Sequence, residues 1–231
     1  MILRREDGET ITAHERREVV LLADRPEISI TWSRYAGGER GPDLHVHREH
    51  TDAFYVLEGE VTFALGPAAD PIGLPAGGFL AVPPNVVHAF ANEGSAEASW
   101  LNFHAPDKGF AAYLRGARDG GDAGFDSFDP PADGGLPADL AIVTGPGAGE
   151  RLASGDGVVL LKAVLPELCV AEWTRGDPDL PDHGGLHYML DGHERVLDVH
   201  RADIVITVDH RWTGALGGRT LELLDPAKDG A

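Results

Sequence analysis

The sequence predicts an all-β protein built from short antiparallel strands. Apolar and polar residues alternate in several runs, and residues 28–35 are the clearest case, with Ile28, Ile30 and Trp32 on one side of a period-two pattern. The chain also contains 30 glycines and 16 prolines, which are scattered rather than repeated. Such a distribution is typical of tight turns that join many short strands.

The alternation places the strands in order along the chain. We expect strands at 19–22, 28–35, around 45–47, and at 53–57, 60–65, 79–82, 86–92 and 99–104. Residues 67–76 are expected to form a loop, and Asn85 is expected to adopt a left-handed turn conformation. From Asp107 to Arg118 the apolar spacing changes to that of a short helix, which Asp107 can cap.

Three histidines and one carboxylate indicate a metal site. His45 and His47 are separated by one residue, so on a strand both imidazoles leave the same face. Asp52 precedes one strand-like run and His88 precedes another. The four side chains are a plausible ligand set for a divalent transition metal, whether Fe, Mn, Ni, Cu, Co or Zn. Spacing alone leaves a second interpretation open, in which these are surface histidines among the 11 of the chain.

Composition excludes several classes of function. Lys and Arg number 19 against 38 Asp and Glu, which gives a formal charge of −19 and opposes binding to nucleic acid or to anionic membranes. No apolar run approaches the length of a membrane span. The single cysteine, Cys169, excludes an internal disulfide, and its apolar neighbours predict a small buried residue. We therefore expect a soluble, cytoplasmic protein.

Segments 41–59 and 78–92 resemble the two motifs of the cupin superfamily. The matching positions are His45, His47, Gly59, Gly78, Pro83, His88 and Asn92. Two positions depart from the pattern, because Asp52 stands where the family usually has Glu and Asn85 stands where it usually has Gly. The stretch Ala-Phe-Tyr-Val-Leu-Glu-Gly-Glu at 53–60 resembles cupins similar to quercetin dioxygenase.

The resemblance implies a cupin antiparallel β-barrel of the jelly-roll kind with the metal inside its mouth. An aspartate is one methylene shorter than a glutamate, so Asp52 could approach the ion closely, coordinate through water, or leave the metal to the three histidines. Glu49 and His50 are nearby residues that could bind the ion in place of Asp52, although their position between strands directs them less well toward it.

The sequence further predicts a division of the chain into three parts. Residues 1–118 would form the metal-binding barrel with its trailing short helix, 119–157 a linker or long surface arm, and 158–231 a degenerate cupin-like β half. In that half, 158–161, 168–173 and 187–192 echo segments of the first barrel in the same order, which suggests a bicupin. Thr213 falls at the place of His88, so we favour a half without metal. A second metal site among His183, His187, His193, His200 and His210, or a simple β extension of the first barrel, are the alternatives.

The expected function is that of a metal-dependent, dioxygenase-like oxygenase that acts on a small aromatic or other organic molecule. The predicted pocket is lined by Phe54, Val56, Phe90, Trp100 and Asn102, and His104 is the candidate catalytic residue. The alternatives are a metal-dependent isomerase or lyase and a cupin that binds a small molecule without catalysis. Tyr55, Leu57 and Phe63 could contribute to the apolar face of a homodimer.

Overall fold

The computed structural model describes residues 2–121, 123–154, 157–174, 186–190, 195–200, 205–208 and 212–215. It divides into two compact units, one spanning Arg5–Gly147 and the other combining Met1–Arg4 with Ala148–Ala231. In chain order the strands are β1 (Ile2–Leu3), β2 (Glu9–His14), β3 (Arg17–Arg25), β4 (Ile28–Tyr35), β5 (Thr51–Glu58), β6 (Glu60–Leu65), β7 (Asp70–Pro75), β8 (Phe79–Val82), β9 (His88–Ala91), β10 (Ala98–Ala105), β11 (Ile142–Thr144), β12 (Glu150–Ser154), β13 (Gly157–Val164), β14 (Cys169–Thr174), β15 (Leu186–Met189), β16 (Arg195–His200), β17 (Val205–Val208) and β18 (Trp212–Ala215).

The first unit consists of two antiparallel sheets and one helix. A seven-stranded sheet has the order β11-β8-β5-β10-β4-β3-β2, and a three-stranded sheet has the order β7-β6-β9. Apolar side chains from both sheets meet in one buried cluster, which includes Phe54 from β5, Phe63 from β6 and Trp100 from β10. The antiparallel all-β class predicted from the alternation and the barrel implied by the resemblance are both confirmed.

Local turn chemistry explains how adjacent strands reverse. Gly59 joins β5 to β6 with a φ of 71°, and a Cβ there would lie 2.5 Å from the carbonyl oxygen of Glu97, so both conformation and space require glycine. Asn85 has a φ of 67°, which confirms the predicted left-handed turn before His88. The helix α1 (Phe110–Asp119) begins where the Asp107 carboxylate accepts hydrogen bonds from the backbone N–H groups of Phe110 and Ala111, as the sequence predicted.

Two local predictions were wrong. Residues 67–76 are not simply a loop, because Asp70–Pro75 forms β7 and pairs with β6. The segment of His45 and His47 is not a regular strand: it contributes isolated bridges, from His45 to His88 and from Val46 to Phe128.

Residues 123–147 of the predicted linker belong to the first unit. Phe128 pairs with Val46, Leu136 bridges to Val86, and β11 adds a strand to the edge of the seven-stranded sheet beside β8. The reason is that the backbone of this segment finds hydrogen-bonding partners along the edge of the barrel, which its Gly- and Pro-rich composition did not indicate.

The second unit is also made of β-strands, most of them paired antiparallel. Its six-stranded sheet has the order β1-β15-β16-β14-β13-β12, with β1 parallel to β15, and β17 pairs with β18. In this unit β13 and β14 form a hairpin with a bulge, and β16 pairs with β14. In the first unit β3 and β4 form a hairpin with a bulge, and β10 pairs with β4 in the same way. The repeat relation stays a prediction, and His183, His193 and His210 lie outside the described residues.

Two further observations bear on the composition-based expectations. Cys169 is fully buried on β14, as predicted. Within the described ranges, no helix is both long enough and apolar enough to cross a membrane.

Candidate metal centre

Three of the predicted ligands lie at the edge of the smaller sheet. His45 and His88 exchange two backbone hydrogen bonds, of 3.0 and 2.9 Å, so their Cα atoms face each other. Val46 exchanges backbone hydrogen bonds with Phe128 on the other side, and its side chain is buried. Because successive side chains of extended backbone alternate, His45 and His47 leave the same face, toward His88.

The carboxylate ligand comes from the larger sheet. Asp52 lies on β5, opposite Val82 of β8 and His104 of β10. One ligand atom from each of His45, His47, Asp52 and His88 lies within 4.8 Å of the others. Three of these side chains are almost completely buried, and His45 is 9% exposed. The structure therefore brings together the complete predicted ligand set.

The distances within this group fit a single ion. Asp52 Oδ2 lies 3.3 Å from His88 Nε2 and 3.6 Å from His47 Nε2. Ligands bound at about 2.1 Å are separated by roughly 3.0–3.4 Å in octahedral and tetrahedral sites. The group of four, which we call the outer metal position, can hold a divalent transition metal after small adjustments.

The imidazoles are fixed by contacts to their outward nitrogens. His45 Nδ1 donates to the Asp43 carbonyl at 2.9 Å, His88 Nδ1 donates to the Val86 carbonyl at 3.0 Å, and His47 Nδ1 donates to the Asp126 carbonyl. Metal-ligating histidines are held in this way, because the outer hydrogen bond selects the tautomer whose inward nitrogen has a free lone pair. The buried Nε2 of His47 has no hydrogen-bond partner, which is the arrangement expected of a metal ligand.

The electrostatics of the centre favour deprotonated ligands. Burial alone raises the pKa of Asp52, but the adjacent histidines, with His104 first among them, outweigh burial and hold this pKa well below its usual value. Burial, supported by the proximity of His88 and His47, lowers the pKa of His45 to about 4. A carboxylate and a neutral imidazole are the forms that bind metal ions.

His104, the candidate catalytic residue, is buried next to the ligands rather than exposed in a cleft. Its Nδ1 lies 2.8 Å from His50 Nε2, and its Nε2 lies 3.0 Å from Asn102 Oδ1 and 3.6 Å from Asp52 Oδ1. Its ring stacks on Phe110 of α1, with centroids 3.6 Å apart. The helix therefore positions His104 as well as covering the sheet.

The two substitutes considered for Asp52 behave differently. Glu49 is exposed and pairs with Lys108 at 2.9 Å, so it points away from the centre. His50 is buried, and its ring stacks on that of His47 with centroids 4.0 Å apart. Of the two, only His50 lies at the centre.

Asp126 is the functional candidate that the sequence did not reveal. Its carboxylate accepts hydrogen bonds from the backbone N–H groups of Arg48 and Glu49 and from His50 Nδ1, the last at 2.8 Å. Its carbonyl holds His47. One residue of the segment predicted as a linker thus fixes two histidines of the centre.

The predicted pocket residues are mostly part of the core. Phe54, Val56 and Trp100 are almost completely buried in the cluster between the sheets, and Phe90 packs against them while remaining partly exposed. Asn102 instead donates from Nδ2 to Asp52 Oδ1 and to the Ala53 carbonyl, so it orients the carboxylate ligand. That these residues line a substrate pocket stays a prediction.

A match to a family model agrees with this architecture. Residues 31–104 match the family model described as a cupin domain. No curated protein matched the chain. Among solved structures, KdgF from Halomonas sp. is 15% identical, with 46% of this chain and 94% of that chain covered at a TM-score of 0.40. An RmlC-like cupin from Shewanella frigidimarina is 24% identical, with 44% and 86% covered at a TM-score of 0.37.

Proposed function

Because the chain belongs to the cupin superfamily through residues 31–104, we propose that it is a metal-dependent oxygenase acting on a small organic molecule with an aromatic or otherwise flat apolar part. The observation that carries the proposal is the convergence of His45, His47, Asp52 and His88 within 4.8 Å, together with the unpartnered Nε2 of His47. Three neutral imidazoles and one carboxylate leave coordination positions open on a six-coordinate ion. A bound redox-active ion would supply a site for oxygen or for a chelating substrate.

The residues of the chain have separable roles in this proposal. The carbonyl groups of Asp43, Val86 and Asp126 accept hydrogen bonds from the Nδ1 atoms of three histidines, so the lone pair of each neutral ring lies on the inward Nε2. Asn102 holds Asp52 Oδ1 and leaves Oδ2 for the ion. Both roles preorganise the ligands, so that little reordering accompanies metal binding.

The surroundings favour an apolar substrate. Phe90 contacts Phe54 and Trp100, at centroid distances of 5.2 and 5.6 Å, and it is the partly exposed member of this aromatic group. A flat apolar molecule can pack on such a surface, and an apolar wall limits water at the ion. Phe90 is therefore the side chain we expect a substrate to touch.

The first test is oxygen consumption by protein whose metal content has been measured. Chain purified and loaded separately with Fe, Mn, Ni, Cu, Co or Zn is assayed with flavonols, catechols and keto acids. We expect uptake with at least one redox-active metal and none with Zn or with the His47→Ala variant. Failure to retain any of these metals would refute the proposal.

The non-redox alternative predicts a different result, namely substrate conversion without oxygen and with Zn as well as with redox-active metals.

An isomerase for phosphorylated sugars would need cationic side chains near the centre. Arg34 is already engaged by Glu97 and lies 3.7 Å from Glu18, and the Arg48 guanidinium stacks on Phe128. Because these contacts already occupy both side chains, an isomerase that binds phosphorylated sugars is the weaker candidate.

A further inference from the structure

A second group of imidazoles lies on the inner side of the centre. His47, His50 and His104 are buried, and one ring nitrogen from each lies within 4.8 Å of the others. Of these three, only His47 belongs to the outer metal position. The hydrogen bonds around the group determine which nitrogen atoms carry protons.

His50 has its proton on the outward nitrogen. Its Nδ1 faces Asp126 Oδ2 at 2.8 Å, and the same oxygen also accepts from the Glu49 N–H. Burial raises the pKa of Asp126, but the hydrogen bonds from Glu49, Arg48 and His50 outweigh it and lower the net value. The carboxylate is thus an acceptor, so Nδ1 donates and the lone pair of neutral His50 lies on Nε2.

His104 is oriented the opposite way. The Asn102 amide nitrogen is identified by its two acceptors, Asp52 Oδ1 and the Ala53 carbonyl, so the atom 3.0 Å from His104 Nε2 is the amide oxygen. His104 Nε2 therefore donates, and the lone pair of the neutral ring lies on Nδ1. His50 Nε2 and His104 Nδ1 then face each other at 2.8 Å with no hydrogen between them.

A third lone pair points into the same space. His47 Nδ1 donates to the Asp126 carbonyl, which leaves the lone pair on Nε2, and this buried atom has no hydrogen-bond partner. Three convergent lone pairs repel one another unless a cation lies among them. The 2.8 Å separation of the first two is close to the roughly 3.0 Å edge of an octahedral site with bonds of about 2.1 Å.

We propose that His47 Nε2, His50 Nε2 and His104 Nδ1 form a second, inner metal position for a divalent ion that prefers imidazole, such as Zn, Cu or Ni. Its outer contacts are Asp126 for His50 and Asn102 for His104. Since one Nε2 atom of His47 cannot bind two ions, the inner and outer positions are alternatives, occupied one at a time. The proposal rests on the proposed function to the extent that both need this pocket to bind metal.

The test separates the two positions by removing ligands of one alone. In the double variant His45→Ala/His88→Ala, the outer position has lost two of four ligands and the inner position none. We expect this protein to retain one Zn per chain, with an affinity about ten- to a hundredfold below that of the unaltered chain, measured by competition with a chromogenic chelator. Adding His50→Ala or His104→Ala should abolish the retained binding, whereas adding His14→Ala, at an exposed histidine on β2, should leave it unchanged.

Each outcome bears on a different claim. Unaltered chain that binds no metal refutes the proposed function, while unaltered chain that binds Zn and a double variant that binds none refute the inner position. Circular dichroism of the metal-free variants checks that they fold. If they do not fold, the Cu(II) form of the unaltered chain is examined by electron paramagnetic resonance, where His50→Gln should alter the nitrogen hyperfine pattern. A strongly deshielded N–H proton shared by His50 and His104, persisting in excess Zn, would mean that a proton fills the position and would overturn the proposal.

Discussion

Replacing Asp126 by Ala should destabilise the barrel and loosen two histidines at once. The substitution removes the acceptor of the His50 Nδ1–H hydrogen bond and of the backbone N–H groups of Arg48 and Glu49. A hydrogen bond to a charged group contributes about 1.5–3 kcal/mol, and each N–H that loses its acceptor costs about 1 kcal/mol where water can partly replace it. We expect the free energy of unfolding of the first unit to fall by about 3–5 kcal/mol at pH 7.

The loss should depend on pH in a defined direction. The pKa of Asp126 is lowered in the folded protein, so its stabilising effect is complete above the unfolded value of about 3.9 and disappears as the pH falls through the folded value. The difference between the unaltered chain and Asp126→Ala should therefore be constant from pH 7 to about pH 5 and shrink in more acidic solution.

Hydrogen exchange of the β5 and β10 backbone amides is the appropriate assay, because these strands report on the first unit alone. Metal-free protein is used, so that ligand binding does not mask the effect. Asp129→Ala is the matched control: Asp129 lies in the same segment, is exposed, and carries the same charge. A loss below 1 kcal/mol at pH 7, or a loss equal to that of the control, would refute the assigned role of Asp126.

Four other outcomes follow from the centre. His47→Ala removes a ligand common to both metal positions, so isothermal titration should detect no high-affinity binding of Zn or Co. Asn102→Ala frees the Asp52 carboxylate and should weaken metal affinity about 10–100-fold in the same titration, with the stoichiometry unchanged. Asp52→Glu forces an extra methylene into a filled space and should lower both metal affinity and, by about 1–3 kcal/mol, stability to urea, contrary to the family pattern. Burial lowers the pKa of His45 and His50 to about 4 in the folded protein. In the unfolded chain these histidines take up protons near pH 6.5, whereas in the folded chain they do not. Metal-free protein should therefore lose stability as the pH falls from about 6.5 to 4.

The regular strands of the first unit were predictable from sequence because their apolar residues alternate with polar ones or form a short continuous run. Residues 28–35, 60–65 and 79–82 alternate or are continuously apolar, and they became β4, β6 and β8. β7 was missed because Pro71, Gly73 and Pro75 interrupt its pattern. It lies at the edge of the three-stranded sheet, where a missing N–H is tolerated.

The metal ligands were predictable because their spacing is local, whereas their supports are not. The two-residue spacing of His45 and His47 predicts that their side chains share a face. The turn at Asn85 is a local signal that precedes His88. Asp126 lies 76 residues from His50, in a stretch rich in Gly, Asp and Pro that has no periodicity. The pairing of Phe128 with Val46 and the hydrogen bond from the Asp126 N–H to the Lys108 carbonyl bring it to the centre, and such tertiary contacts cannot be read from a single sequence.

The departure at Asp52 is accounted for by its neighbours across the sheet. The register that sets Asp52 opposite His104 also sets Asn102 opposite Phe54, one pleat further along the same face. From there the Asn102 amide holds Oδ1, and Oδ2 is left 3.3 Å from His88 Nε2. The shorter carboxylate of Asp52 therefore reaches the other ligands because the hydrogen bond from Asn102 fixes its orientation.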